Sequence, residues 1–359
     1  MSTVIDTPAL VIDLDAMEHN LAVMASFARE RGLRLRPHAK MHKSAWIAQQ
    51  QIAHGAVGVC VQKTSEAEVL AARGVADIFI SNEVIDPAKL GRIAALARQT
   101  TVAVAVDSKL GIERLARALR SAGSATDVFV EIDVGHGRCG VAPSGAAALA
   151  QHVVEHGLRF AGLQAYHGRA QHLRSVAERR AAIAAAGDAV RLAQRALGQA
   201  HIACPLVSGA GSGSFVLEAE SALWGELQCG SYLFMDRDYA DNEALPGAPR
   251  FEHALFVKCQ VMSRSTDHAV VDAGHKSHAI DSGLPRVWGR DDLEFVNGGD
   301  EHGILRGPAL PALGDTVWLV PGHCDPTVNL HDRMFGVRGG LDTGIVERVI
   351  RVDARGCTS

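Results

Sequence analysis

Two short segments near opposite ends of the chain carry residue types that could do chemistry together. In Pro321-Gly322-His323-Cys324-Asp325-Pro326-Thr327, alternate residues of an extended chain would face the same way. His323 and Asp325 could then hold one hard or borderline divalent metal while Cys324 points elsewhere. Two ligands do not complete a metal shell, so waters or other protein groups must supply the rest. The second segment is Arg36-Pro37-His38-Ala39-Lys40-Met41-His42-Lys43. Its lysine follows a short strand-like run and precedes a helix-like one, which can direct the amine into a cleft. A metal and an amine-binding carbonyl cofactor in one active site is the chemistry these segments suggest.

The elements that must position them are read from periodicity. From residue 34 to about 235, short β-like runs alternate with longer helical ones: Arg34 to Pro37, Val57 to Val61, Asp77 to Ile80, Val102 to Val106, Val128 to Ile132, Phe160 to Leu163, Leu206 to Ser208 and Leu227 to Gly230. Eight such runs favour a closed (β/α)8 TIM-like barrel over an open doubly wound sheet. Polar residues fall where the strands would end, at Lys40, Gln62, Asn82, Asp107, Arg138, His167 and the glycines from Gly209 onward. In this architecture those strand ends converge on the catalytic face. After Asp236-Arg237-Asp238-Tyr239 the rhythm changes to strands without long helices. The expected organisation is a barrel over residues 1–246 and a mostly β domain over 247–359, with residues 1–12 associating with the second domain. The metal-like pair lies outside the barrel, so the site should form at a domain or subunit boundary.

Composition narrows the partners. The chain has 359 residues, 47% hydrophobic and 21% charged, with 36 basic and 40 acidic side chains. The formal charge of -4 leaves no footprint for nucleic acid binding. No run approaches the roughly 20 apolar residues of a membrane span, and the start lacks a basic region followed by an apolar export segment. The seven cysteines are scattered and odd in number, which outlines no disulfide framework. A cytoplasmic setting is expected.

Taken in order, Thr7-Pro8, Arg36-Pro37-His38-Ala39-Lys40, Asp133-Val134-Gly135-His136-Gly137-Arg138-Cys139-Gly140, Gln164-Ala165-Tyr166-His167-Gly168, Ser208-Gly209-Ala210-Gly211-Ser212-Gly213-Ser214 and Pro321 through Thr327 form a specific pattern. It resembles the D-threonine aldolase and D-serine dehydratase-like family of fold-type III pyridoxal-phosphate enzymes, related in its barrel to alanine racemase. The likeness covers nearly the whole chain. It implies that Lys40, rather than Lys43 or Lys63, attaches pyridoxal 5'-phosphate. It implies a phosphate cup from the glycine-rich loop, with Ser212, Gly213 and Ser214, and from Gly230, Ser231 and Tyr232. Exposed backbone N–H groups and hydroxyls suit such a cup. Family members commonly carry glycine and threonine where this chain has Ala210 and Ser212. The resemblance puts Arg138 beside the cofactor's phenolic oxygen or the substrate carboxylate, where a fixed positive fork orients oxyanions. Tyr166 and His167 resemble a barrel-mouth pair, and Gln62 is a further polar contact.

The implied reaction is retro-aldol cleavage of a β-hydroxy-D-amino acid to glycine and an aldehyde. A metal at His323 and Asp325 would lower the proton affinity of the β-hydroxyl. Mn2+ or Mg2+ fits this pair better than Co2+ or Zn2+. His42 and His167 are both open as the base. Family aldolases carry a histidine/aspartate metal pattern and dehydratases a histidine/cysteine one, so Asp325 at the alternating position favours cleavage over β-elimination. D-threonine aldolase activity leads; 3-hydroxy-D-aspartate aldolase, a D-serine or 3-hydroxyaspartate dehydratase, an amino-acid racemase and a noncatalytic cofactor-binding regulator are the alternatives. The related fold implies a homodimer, without fixing which chain donates His323 and Asp325.

Overall fold

The computed structural model describes residues 5–359; the expected association of residues 1–12 with the second domain falls, for residues 1–4, outside that range. Among the described residues, eight strands form one parallel sheet: β2 (Arg34–Leu35), β3 (Val59–Val61), β4 (Asp77–Glu83), β5 (Thr101–Val106), β6 (Asp127–Glu131), β7 (Arg159–Ala165), β8 (Val207–Gly209) and β9 (Glu226–Leu227). Their order is β2-β9-β8-β7-β6-β5-β4-β3. Past the end of β2, the Cys60 N–H donates to the Pro37 carbonyl and the Ala39 N–H to the Cys60 carbonyl, each at 2.8 Å. This parallel bridge between His38 and Cys60 joins the two sheet edges, and the expected α/β barrel is the observed architecture.

Strand alternation sorts the side chains. Ile78, Ile80, Val102, Val104, Val128 and Val130 pack outward in the shell formed with the surrounding helices. Phe79, Ala103, Ala105, Phe129 and Cys60 point inward, with the Phe79 and Phe129 rings 4.6 Å apart. One step further along, the inward positions become polar, at Ser81 and Glu131. A buried chain of hydrogen bonds also runs through the barrel. Gln164 and Gln228 exchange amide bonds of 3.1 and 2.7 Å, Gln228 donates to Ser208 at 2.8 Å, Ser208 donates to Glu226 at 2.7 Å, and Arg36 donates to Glu226 at 3.1 Å. Because each partner is satisfied, this polar floor avoids the cost of burying unpaired groups.

The second sheet has nine strands among the described residues. It comprises β1 (Ala9–Asp13), which precedes the barrel, and β10 (Leu255–Arg264), β11 (Ala269–Val271), β12 (Arg286–Val287), β13 (Glu294–Asn297), β14 (Gly303–Arg306), β15 (Thr316–Val320), β16 (Arg333–Arg338) and β17 (Ile345–Arg351). β1 lies between β10, antiparallel to it, and β16, parallel to it. β12, β14 and β16 carry apolar residues too few or too interrupted to be read from periodicity. Asp13 ends β1 and caps the helix Leu14–Glu30, accepting the N–H groups of Asp15 and Ala16. That helix contributes Met17, Leu21 and Met24 to an apolar cluster shared with Leu233, Phe234, Leu255, Val257, Cys324 and Val328. One continuous core thus ties the second sheet to the barrel mouth. Among the described residues, no helix is long and apolar enough to cross a membrane.

Candidate active site

The structure overturns the local conformation assumed for the metal-like segment. His323 is extended, with φ -146° and ψ 124°, but it is the N-cap of a helix, Cys324–Asn329, so Asp325 sits in a first helical turn. The two side chains share a side because an extended cap is followed by a turn, not because a strand alternates. An acidic side chain is favoured in that turn, and the Thr327 hydroxyl closes it by donating to the His323 carbonyl at 2.7 Å. Cys324 is buried in the core and faces away.

The barrel itself holds this turn. Asp236, fully buried, accepts the Tyr239 N–H on one oxygen at 3.0 Å and the Cys324 N–H on the other at 2.8 Å. The next two N–H groups, of Arg237 and Asp238, donate to the carbonyls of Pro321 and Gly322 at 3.0 and 3.2 Å. Burial pushes the Asp236 carboxyl up to about 6 even with both bonds in place. A side chain at Gly322 would run into the Gly283 carbonyl, 2.1 Å from its first carbon, so the loop Asp281-Ser282-Gly283 closes against the motif.

These supports bring Asp325 against Lys40. The Lys40 ammonium contacts Asp325 Oδ2 directly. Burial is the largest single influence on each and disfavours charge, but mutual attraction outweighs it: the amine is raised above its ordinary range and the carboxyl held below its own. His323 Nδ1 lies 2.7 Å from Asp281 Oδ2, which turns Nε2 toward Asp325 Oδ1 at 3.8 Å. Among the described residues, Asp325 Oδ1 is buried without a hydrogen-bond partner. An imidazole nitrogen facing an unsatisfied carboxylate oxygen across such a gap is the donor set a divalent ion takes. Asp281 is the carboxylate that orients it.

Lys40 opens into a cavity of about 300 Å3 at the barrel mouth. Of the residues named from sequence, Lys40, Gln62, Arg138, Tyr166, Ser212, Gly230 and Ser231 line it. Arg138 lies 6.0 Å from the Tyr166 ring centre, and among the described residues its guanidinium makes no ion pair. Ser212 Oγ accepts the Tyr232 N–H at 2.8 Å. Among the described residues, the N–H groups of Gly211, Ser212, Gly230 and Ser231 donate to no protein acceptor. Unpaired N–H groups beside a cavity are donors of the type that can bind an anion.

Other named residues are not brought to this cavity. His42 is fully buried, with Nε2 3.2 Å from Gln51 and Nδ1 accepting the Ser44 N–H at 3.1 Å; burial lowers its pKa to about 4. His167 follows inward-facing Tyr166 and turns toward Gly135 and His136. The Gly213 N–H donates to Gln171 Oε1 at 2.9 Å, and Ser214 Oγ accepts from Gln171 Nε2 at 2.7 Å and donates to Glu218 at 2.8 Å. Tyr232 is a core ring packed on Phe251, its hydroxyl 3.5 Å from Gln51. These side chains and donors support the loops from behind.

Several lining residues escaped sequence reasoning: His38, Met41, Ser81, Gln164, Gln228 and Tyr239. The strand-end pattern had marked Asn82, one residue late, and Asn82 instead donates to the Gln62 carbonyl at 3.0 Å. His38, Met41, Gln164 and Tyr239 stood in quoted segments without a role assigned to them. His38 Nε2 lies 2.9 Å from Gln62 and 3.3 Å from Ser81 Oγ, and burial, reinforced by Lys40, keeps this ring neutral. Among the described residues, groups of three potential metal ligands occur elsewhere, at Glu83, Asp107 and Cys139 and at Glu113, His152 and His156; His323 and Asp325 remain a pair.

The chain is similar to known proteins over nearly its whole length. The family model described as alanine racemase, N-terminal domain, matches residues 12–238, and a serine dehydratase domain model matches residues 254–337. A 3-hydroxy-D-aspartate aldolase of Paracoccus denitrificans (strain Pd 1222) is 44% identical, over 98% of this chain and 92% of that protein. A D-threonine aldolase of an Arthrobacter species is likewise 44% identical, over 98% and 93%. The crystal structure of D-threonine aldolase from Filomicrobium marinum superposes with a TM-score of 0.95 at 48% identity, covering 99% of this chain and 96% of that one. The chain therefore belongs to the fold-type III pyridoxal-phosphate enzymes with an alanine-racemase-like N-terminal domain, within the D-threonine aldolase, 3-hydroxy-D-aspartate aldolase and dehydratase family.

Proposed function

We propose that the chain is a D-threonine aldolase that cleaves β-hydroxy-D-amino acids to glycine and an aldehyde, with pyridoxal 5'-phosphate on Lys40 and a divalent ion at His323 and Asp325. The observation that carries this reading is the meeting of the Lys40 amine with Asp325, whose second oxygen is unsatisfied and faces His323. When bound, the cofactor supplies a sink for the electrons released on Cα–Cβ cleavage and the metal a Lewis acid for the β-hydroxyl. Imidazole with carboxylate suits Mn2+ or Mg2+ in a site of this kind, with Co2+ and Zn2+ as competitors.

The protein's own part is positioning and proton control. The free N–H groups of Gly211, Ser212, Gly230 and Ser231 hold a phosphate. Arg138 meets an anionic oxygen of cofactor or substrate. Neutral His38 presents nitrogen to Gln62 and Ser81 and adds no competing charge beside Lys40. With His42 and His167 turned away, Lys40, whose contact with Asp325 favours its proton, is the cavity group suited to move one at the substrate.

The cations lining the cavity are Lys40 and Arg138. Both have roles in every substrate, which leaves none for a β-carboxylate and favours threonine over 3-hydroxyaspartate. Product analysis tests the assignment. D-threonine, 3-hydroxy-D-aspartate and D-serine are incubated with the enzyme before and after chelation and Mn2+ restoration. Glycine and acetaldehyde from D-threonine, lost and regained with the metal, are the expected products. Preferential glyoxylate from 3-hydroxy-D-aspartate reassigns the substrate, and pyruvate with ammonia from D-serine overturns the cleavage in favour of elimination.

The same reading includes a cytoplasmic homodimer and a division into a barrel unit of 1–246 and a β unit of 247–359. The shared placement of β1 in the second sheet supports counting the N-terminal strand with the β unit.

A further inference from the structure

We propose that the outer face of the barrel carries a second metal site, for Zn2+ or a similar borderline divalent transition ion, formed by Glu113, His152 and His156. One ligand atom from each lies within 4.8 Å of the others. Glu113 belongs to the helix Lys109–Ala122; His152 lies in the helix Ala146–Glu155 and His156 is its C-cap. Four residues apart, the two histidines share one helix face, and their rings are 4.1 Å apart.

His156 is prepared by its other nitrogen. His156 Nδ1 bonds the His152 carbonyl at 2.9 Å, which makes this nitrogen the donor and leaves the Nε2 lone pair free for a cation. Among the described residues, His156 Nε2 has no hydrogen-bond partner. His152 Nε2 lies 3.3 Å from Glu113 Oε1. Two ligands at about 2.0–2.1 Å from a tetrahedral Zn2+ are separated by about 3.3–3.4 Å, so this spacing already matches one edge of the coordination tetrahedron. Glu155 Oε2 stands 3.9 Å from His152 Nδ1, an ion-pair distance beyond hydrogen-bond reach.

Location and chemistry select the ion. The helix C-terminus is the negative end of its dipole and favours a cation. Two imidazoles and a carboxylate suit Zn2+, Co2+ or Ni2+ better than the oxygen-seeking Mg2+ or Ca2+. A simple His152–Glu113 hydrogen bond accounts for two of the three residues and gives His156 Nε2 nothing to do. Three protein ligands leave a fourth position for water, and a bound ion pins two neighbouring outer helices without touching the Lys40 cavity.

The test uses the intact enzyme, loaded with pyridoxal phosphate, stripped with chelator and titrated with Zn2+ by calorimetry and elemental analysis. The double variant His152→Gln/His156→Gln should bind one fewer equivalent of Zn2+ per chain than the unsubstituted protein. The same variant, assayed with Mn2+, should keep its turnover within about twofold, since neither residue touches the reaction. Co2+ should give a tetrahedral visible absorption that is lost in His156→Gln, a change small enough to report on a folded protein if the double variant fails to fold. Equal Zn2+ stoichiometry in the variants and the unsubstituted chain, or a loss of Co2+ absorption only when Asp325 is replaced, overturns the site.

Discussion

Lys40 and Asp325 stand 285 positions apart in the chain and in direct ion contact in the fold. The amine comes from the end of a barrel strand and the carboxylate from the first turn of a helix in the other sheet's half of the chain. A salt bridge in a surface loop would be weak evidence for anything. This one leaves Asp325 Oδ1 buried and unsatisfied, opposite His323. It joins the Lys40 amine to the proposed metal pair within one chain.

Replacing the amine tests the first half of that junction. Lys40→Ala is expected to lower turnover about a thousandfold or more, because the residue proposed to attach the cofactor is lost outright. The protein-bound absorbance of the cofactor should shift to that of the free aldehyde. Retention of the lysine-linked spectrum would reassign the attachment site.

Asp281 holds His323 through Nδ1 at 2.7 Å. Asp281→Asn should therefore weaken metal binding by about 10–100-fold, the usual effect of losing an outer carboxylate on a ligating histidine. Competition titration of Mn2+ against a fluorescent chelator reads this without any assay of turnover. An unchanged affinity would separate Asp281 from the metal.

The pH response of the metal-free protein has a definite sign. Burial opposes charge on His323, but Asp325 and Asp281 outweigh it and raise its pKa above the ordinary 6.5. A histidine raised on folding stabilises fully below about 6.5, and that contribution is lost as pH rises through the folded value. Metal competes with the same proton, so its affinity should climb over that interval. Melting curves at about pH 6 and 8 should show the metal-free chain losing stability relative to His323→Gln, while added Mn2+ stabilises more at the higher pH. Metal binding that is flat across this range contradicts the coupling.

Ala210 takes φ 68° in the glycine-rich loop, a left-handed conformation that its β-carbon disfavours. Ala210→Gly is expected to raise stability by about 0.5–1 kcal/mol, the relieved strain exceeding the entropy that glycine adds to the unfolded chain. Denaturant unfolding at fixed pH measures it. A loss of stability would mean that the alanine methyl packs better than its backbone is strained.

Gln171 supports the same loop through the Gly213 N–H and Ser214 hydroxyl. Gln171→Ala should cost about 2–3 kcal/mol by leaving buried partners unpaired. It should also weaken cofactor binding measured by absorbance titration. Equal cofactor affinity would show that the cup keeps its shape without this amide.

Local pattern was enough to find the alternation of strands and helices, and the polar positions where the strands stop. A two-residue period tells inside from outside only where one face is apolar and the other polar; Phe79 and Ile80 are both apolar and take opposite faces, and residue type alone does not separate Ser81, which lines the cavity, from Asn82, which the strand-end pattern marked. Lys40 and Arg138 were legible because motif order marks them along with the strand ends. What the pattern could not carry was direction within a loop. His167 beside Tyr166, Tyr232 beside Ser231 and Gly213 beside Ser212 differ by one position, and one position turns a side chain or an N–H from the cavity to the core. Nor could spacing reveal the partners that make those choices, since Gln171 with Ser214, Asp281 with His323 and Asp236 with Cys324 are joined across 43, 42 and 88 positions. Residues 1–12 were expected beside the second domain, but spacing gave no sign that β1 would lie between β10 and β16. Residue types and short-range periods specify which elements form and which groups are reactive; packing of distant backbone, satisfied bond by bond, settles which of those groups face one another.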